Sequence, residues 1–304
     1  MLSEILEIPD RGRELLLEKS IFSLPLQVPY VGMGSSYFAA LAFKYMGVDI
    51  YPELASEYFT YLKKKTRLPN AVILSQSGRS TESLWCTDIF EEYTAVTNDV
   101  SSALATNLKA KVVIPIMAGE EKHSSSKTYM NTLLALYKGF GIDASSAFQV
   151  LSENFQEYQL KGEVMANEVF EYIQSEYIRG IYITGSGPNI STAMEAALIL
   201  SESTKRNFHG LPMAQYDHGP KETAMKSIVI QILARGSAYT RTMTLSQKIR
   251  KAGAHVITVE ERGVTESFSV LNNIVPFNFM AYYLAEKLNI GKTFTVGGKV
   301  TEVE

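Results

Sequence analysis

Ala71-Val72-Ile73-Leu74-Ser75-Gln76-Ser77-Gly78-Arg79-Ser80-Thr81 carries the key to the fold. Four apolar residues in a row, with no polar alternation, suit a strand buried on both faces. A turn of serines and glycine follows at once, and then a helical pattern. A strand feeding a helix through such a turn is the building unit of a parallel sheet covered by helices. The same plan recurs on either side. Residues 28–33 form an apolar run into Gly32-Met33-Gly34-Ser35-Ser36, with a helical pattern from Tyr37. Residues 93–97, followed by Asn98-Asp99, and residues 112–115 add two more strands. Further on, residues 180–184 lead into Gly185-Ser186-Gly187-Pro188 and a helix predicted over 189–208. Residues 227–234 lead into Arg235-Gly236-Ser237, another helix and a strand over 255–259.

The repetition predicts an α/β chain with a duplicated domain, each copy a flavodoxin-like parallel sheet with helices on both faces. The expected boundaries are an N-terminal helical segment over 1–20, a first domain over 21–150, a second over 165–290 and a tail over 291–304. A polar helix near 152–176 is expected to link the halves. The tail holds Gly291, Gly297 and Gly298, so it reads as irregular rather than core.

Composition narrows the function classes. The chain has 304 residues, 46% apolar and 20% charged, with a formal net charge of −3. That is a globular composition, and Lys63-Lys64-Lys65 is a lone basic patch, so nucleic acid is not an expected partner. No run of 18 apolar residues exists, so no membrane span is expected. The start lacks the basic-then-apolar pattern of a signal peptide, and the single cysteine, Cys86, cannot form an internal disulfide. Both point to a cytoplasmic protein. The four histidines do not stand at metal-ligand spacing, and no metal or organic cofactor is expected.

Loops at the carboxyl ends of parallel strands are where such sheets bind ligands. Glycine permits close backbone approach, the next helix offers free N–H groups, and serine hydroxyls add neutral donors. Four hydroxyls within residues 75–81 exceed what a plain turn needs, so this loop reads as a phosphate site. Gly32-x-Gly34-Ser35-Ser36 alone reads equally well as a tight strand-to-helix turn. A dinucleotide fingerprint fails there, because Tyr37 stands at its third glycine. Ile290-Gly291-Lys292-Thr293 resembles the end of a nucleotide-binding loop, but Glu286 occupies the required earlier glycine.

Taken together, Gly32-Met33-Gly34-Ser35-Ser36, Ser75-Gln76-Ser77-Gly78-Arg79-Ser80-Thr81 and Val96-Thr97-Asn98 resemble the sugar isomerase (SIS) domain. The paired arrangement resembles the isomerase half of glucosamine-6-phosphate synthase and the related deaminases. The resemblance begins at Glu4-Ile5-Leu6-Glu7-Ile8-Pro9 and continues through residues 195–202 and Asp217-His218-Gly219-Pro220. It ends at Lys299-Val300-Thr301-Glu302-Val303-Glu304. It implies that Ser36, Ser75, Gln76, Ser77 and Ser80 bind the substrate phosphate, with Gly34, Ser35, His123, Ser124 and Ser125 as further substrate contacts. It implies Glu202 as the base moving a proton between sugar C1 and C2. His218 would open the ring, contributed across a homodimer interface, and Lys299 would form an imine with the open-chain ketose. By pattern alone Glu202 is a solvated helix residue, His218 a turn residue and Lys299 a solvated tail charge.

Several departures bear on the chemistry. Ile199 stands where the synthases carry a lysine three residues before the base. The stretch 118–127 aligns with a sugar-enclosing loop only to within one residue. Thr295-Val296-Gly297-Gly298 replaces the usual Pro-Arg before the terminal lysine. Residue 2 is Leu, where the synthases have their glutaminase cysteine, so use of free ammonia is expected. The sequence therefore predicts an aminosugar-phosphate deaminase/isomerase acting on glucosamine 6-phosphate. The alternatives are a phosphoglucose/phosphomannose-type aldose–ketose isomerase, a deaminase or deglycase for another sugar-amine phosphate, and a non-catalytic sugar-phosphate sensor.

Overall fold

The apolar runs assemble into two all-parallel sheets. The structure, a computed structural model, describes residues 1–62, 68–175 and 177–301. Lys63-Lys64-Lys65, Glu176 and Glu302-Val303-Glu304, all drawn on above, lie outside the described residues. The first sheet holds β1 (Pro29–Gly32), β2 (Tyr51–Leu54), β3 (Val72–Leu74), β4 (Tyr93–Thr97) and β5 (Ala110–Pro115), in the order β2-β1-β3-β4-β5. Strands β3 and β4 are buried at every residue, which is why Val72-Ile73-Leu74 shows no alternation. The second sheet holds β6 (Ile181–Gly185), β7 (Phe208–Pro212), β8 (Ile228–Leu233) and β9 (His255–Glu260), in the order β7-β6-β8-β9. Helices flank both sheets, as an α/β fold requires.

Two strands escape a reading of apolar runs. In β2, Tyr51-Pro52-Glu53-Leu54 carries a proline and a charge, which an edge strand tolerates because it pairs on one side only. At β7, the helix predicted to reach residue 208 stops at Thr204. Lys205 turns left-handed with φ 57°, and Phe208 opens the strand, its N–H held by Ser201 Oγ at 3.2 Å. The expected signal for that stop, a glycine, is absent from the sequence.

The chain divides into two compact units. The first holds Leu6–Ser145 and the tail from Thr295 onward; the second holds Met1–Ile5 and Ser146–Phe294. The polar helix expected as a linker is instead a packed part of the second unit. Helix Phe155–Ser175 lies along helix Val275–Lys287. Gly162 permits that approach: a Cβ there would stand 2.5 Å from Phe279 Cβ and 2.6 Å from Pro276 O. The tail is tied down at Thr301. Thr81 N–H donates to Thr301 O at 3.2 Å within the first unit.

A buried polar network braces the second unit. Tyr158 donates its hydroxyl to Glu261 Oε2 at 2.5 Å, and Asn272 Nδ2 donates to Tyr158 at 3.1 Å. Burial pushes the Glu261 carboxyl upward. Hydrogen bonds from Tyr158, the Gly263 amide and Asn154 outweigh it and hold the group below the ordinary carboxylate range. A lowered carboxyl contributes stability above its unfolded value and loses it as pH falls through the folded one. Tyr158→Phe removes one donor from a buried carboxylate and is expected to destabilise the fold by about 1–3 kcal/mol at neutral pH. The difference from wild type should shrink on acidification, and urea unfolding at pH 7 and pH 4 measures it.

Candidate functional site

The order β2-β1-β3-β4-β5 makes the chain diverge to opposite sides after β1 and β3, which opens a crevice at their carboxyl ends. Both loops read from the sequence as ligand-binding end there. Ser35 and Ser36 occupy the first turn of helix Gly34–Tyr45 after β1. Ser75, Gln76, Ser77 and Ser80 form the loop between β3 and helix Thr81–Cys86.

The serine loop is held by its own hydroxyls and by β4. Ser75 Oγ donates to Ser80 Oγ at 3.3 Å and accepts from Gly78 N–H at 3.1 Å. Ser77 Oγ accepts from Arg79 N–H at 3.2 Å, which leaves the Ser77 proton for outward donation. Gln76 O accepts from Asn98 N–H at 3.0 Å, and Gly78 O from Leu104 N–H at 3.1 Å. Gly78 has φ +62°, and a Cβ there would stand 2.5 Å from Ser102 Cβ. No other residue fits both the left-handed backbone and that approach.

Asn98, after β4, ties this loop to the next. Its Nδ2 donates to Gly119 O at 2.7 Å, and its Oδ1 accepts from Ala118 N–H at 2.9 Å. The segment after β5 is thereby fixed beside the serine loop. In it Ser124 is buried, and Ser125 Oγ lies 2.9 Å from Thr128 Oγ1. His123, half-buried, belongs to the same turn before helix Lys127–Gly139.

Glu121, in this segment, is a fully buried carboxylate. Oε1 accepts from Ser126 N–H at 3.0 Å, Ser126 Oγ at 2.9 Å and Thr128 N–H at 3.3 Å. Oε2 accepts from the Thr128 hydroxyl and, at 2.8 Å, from Lys299 Nζ. Lys299 donates also to Glu121 O at 2.9 Å. The tail lysine is thus brought beside the serine loop. A cavity of about 390 Å³ lies between them, lined by Gln76, Ser77, Asn98, Glu121 and Lys299 among others.

The charges at this cavity nearly cancel. Arg79, Lys122 and Lys299 face Asp99, Glu120 and Glu121. The Ser101 hydroxyl and amide, with Arg79 nearby, hold Asp99 below the usual carboxylate range. An anion here must rely chiefly on hydroxyls and backbone N–H groups, the donors that the loop supplies.

The matching crevice of the second unit, at β6 and β8, differs. Its cavity of about 340 Å³ is lined by Gly185, Ser186, Gly187, Ser237 and Arg241 among others. The Glu266 carboxylate borders the Gly187 and Gly236 turns, where burial raises it, so a phosphate there would meet an acidic group. Glu202 and His218 belong to this unit. Glu202 is half-buried in the last turn of helix Asn189–Thr204, with Lys205 Nζ on its carbonyl at 2.6 Å. His218 is exposed and closes the short helix Met213–Asp217, its N–H on Ala214 O at 3.1 Å. Ile199 is fully buried. Among the described residues no group of three or more His, Cys, Asp or Glu could hold a metal ion.

Two residues of the first-unit site carry roles that the sequence did not assign. Asn98 had a motif but no function, and Glu121 stood without a role in the stretch 118–127, next to Glu120. Nothing in that pair's local pattern separates the buried member from the exposed one.

No protein-family model matches the chain. It is 27% identical to the glutamine–fructose-6-phosphate aminotransferase (isomerizing) of Sulfolobus acidocaldarius, over 97% of this chain and 56% of that protein. The chain spans about half the length of the curated relatives it matches. Among solved structures, the C-terminal domain of the Francisella tularensis glucosamine-fructose-6-phosphate aminotransferase superposes with a TM-score of 0.76. The identity is 19%, covering 95% of this chain and 96% of that one. Glucosamine-6-phosphate deaminase from Thermotoga maritima superposes with a TM-score of 0.75 at 18% identity, covering 96% and 95%. The α/β fold with parallel sheets flanked by helices is common to all three chains.

Asn98→Ala leaves the Ala118 amide and the Gly119 carbonyl without their partner. It should cost about 1–3 kcal/mol of stability, the usual cost of orphaning buried polar groups. Amide exchange at residues 116–121 should speed up in the variant. Unchanged exchange there would show that Asn98 does not hold the segment.

Proposed function

We propose that the chain is an aminosugar-phosphate deaminase/isomerase that converts glucosamine 6-phosphate and water to fructose 6-phosphate and ammonia. The observation that carries the reading is the first-unit cavity, where the hydroxyl-rich loop after β3 and a tail lysine meet beside the segments that follow β4 and β5. The similarity to proteins named for aminotransfer to, or deamination of, hexose 6-phosphates supports it. The two units as a pair of sugar isomerase domains, and a homodimer in which His218 serves the partner copy, are part of the proposal.

The chemistry follows from the groups. Ser36, Ser75, Gln76, Ser77 and Ser80 hold the phosphate through neutral donors and so fix the distance to the far end of the sugar. His218 moves the proton that opens the ring. The open chain carries an aldehyde at C1 and an amine at C2. Glu202 takes the C2 proton and returns it to C1, while the amine gives up one proton and the C1 oxygen gains one; the aldehyde becomes an alcohol and the amine-bearing carbon an imine. Attack by the Lys299 amine on that carbon expels ammonia. Water then releases the ketose and the free lysine. Each step conserves its atoms with no oxidant, reductant or metal.

Purified protein supplied with glucosamine 6-phosphate should release ammonia and fructose 6-phosphate in equal amounts. Glu202→Gln should lower kcat by about 10²–10⁴-fold, the usual contribution of a general base. Ser77→Ala should act mainly on KM. Absence of turnover, or full activity in Glu202→Gln, would refute the reading. Isomerisation of glucose 6-phosphate with no ammonia released would identify an aldose–ketose isomerase instead.

A further inference from the structure

We infer that Glu121 is the positioning residue of Lys299: its carboxylate fixes the lysine at the rim of the cavity and acts on the reaction only through it. The inference rests on the reading of Lys299 as a member of the reacting site. Its physical basis is the direction in which the contacts are built.

Four of the five donors on the Glu121 carboxylate come from Ser126 and Thr128, five and seven residues along the chain. They belong to the start of a 13-residue helix, Lys127–Gly139, whose first N–H groups lack partners within the helix and favour a negative charge. The carboxylate is therefore oriented by its own loop, with or without the tail. Lys299 comes from 178 residues away and lies on a segment that, among the described residues, has no helix or strand of its own. Its ammonium binds the Glu121 carboxylate at 2.8 Å and the Glu121 carbonyl at 2.9 Å. Both acceptors belong to one residue, so the place of Nζ is set by Glu121. The Glu121 side chain is fully buried and that of Lys299 only 20% exposed. Loss of either partner leaves a charge out of water without its counter-charge.

A carboxylate at that position also suits the imine. Lys299 must lose a proton before it attacks carbon, and Glu121 Oε2 is the acceptor already in contact. The imine formed afterwards is cationic when protonated and faces the same carboxylate, so the charge pair is kept. The proton returns when water releases the lysine.

The test combines a mutant cycle with an exchange measurement on the full chain. In steady-state assays with glucosamine 6-phosphate, Glu121→Gln should lower kcat about 100-fold and change KM less than about threefold, since the phosphate loop is untouched. In a Lys299→Met background the same Gln substitution should cost less than about threefold, because the residue it acts through is gone. Amide exchange of the tail peptide 295–301 should accelerate at least about tenfold in Glu121→Gln and in Lys299→Met alike, with β3 and β4 unchanged. Lys299→Met keeps the donors from Ser126 and Thr128, so it reports tail release even if Glu121→Gln fails to fold. Should Lys299→Met have no measurable turnover, the exchange measurement decides. Additive losses in the cycle, or a tail whose exchange responds to neither variant, would overturn the inference. A wild type that turns over no phosphosugar, with a tail that still responds, would refute the functional reading and leave the anchor standing.

Discussion

A parallel sheet buried on both faces can reach solvent only at the ends of its strands. In the first unit that constraint acts through the order β2-β1-β3-β4-β5, which sends the chain to opposite sides after β1 and β3. The loops that leave β3, β4 and β5 at that end of the sheet carry backbone groups outside the strand ladders. Everything placed there must bring its own hydrogen-bond partners. The serine loop, Asn98 and Glu121 are three answers to the same requirement.

The answers differ in reach. Ser75 and Ser77 satisfy amides two or three residues away, within the loop itself. Asn98 spans some twenty residues and joins the loops after β4 and β5. Glu121 satisfies the start of its own helix and then receives a lysine from the far end of the chain. Local contacts preset the longer ones, so the site is assembled in layers.

The second unit repeats the strand order, yet its crevice differs in charge and in donors. Gly185-Ser186-Gly187 and Arg235-Gly236-Ser237 keep the turns but lack the density of hydroxyls, and Glu266 stands beside them. A shared topology therefore supplies two crevices, and among the described residues the first carries the denser set of hydroxyl donors. Fold and site are separate matters, and the difference lies in a handful of side chains.

The strands were legible wherever burial on both faces forces an unbroken apolar run, as in Val72-Ile73-Leu74 and in β8. The serine loop was legible because its hydroxyls are adjacent in the chain. Edge strand β2 was hidden by its proline and glutamate, and β7 by a helix stop at Lys205 that lacks a glycine. The helix over 155–175 looked like a linker because its polar residues obscure the close packing that Gly162 allows. Sequence by itself determined the fold class and the phosphate-loop candidate, because both rest on neighbours along the chain. Only the tertiary structure decided that Glu121, rather than Glu120, is buried and holds Lys299. Burial and a partner 178 residues away are set by how distant segments meet, and no local pattern encodes that.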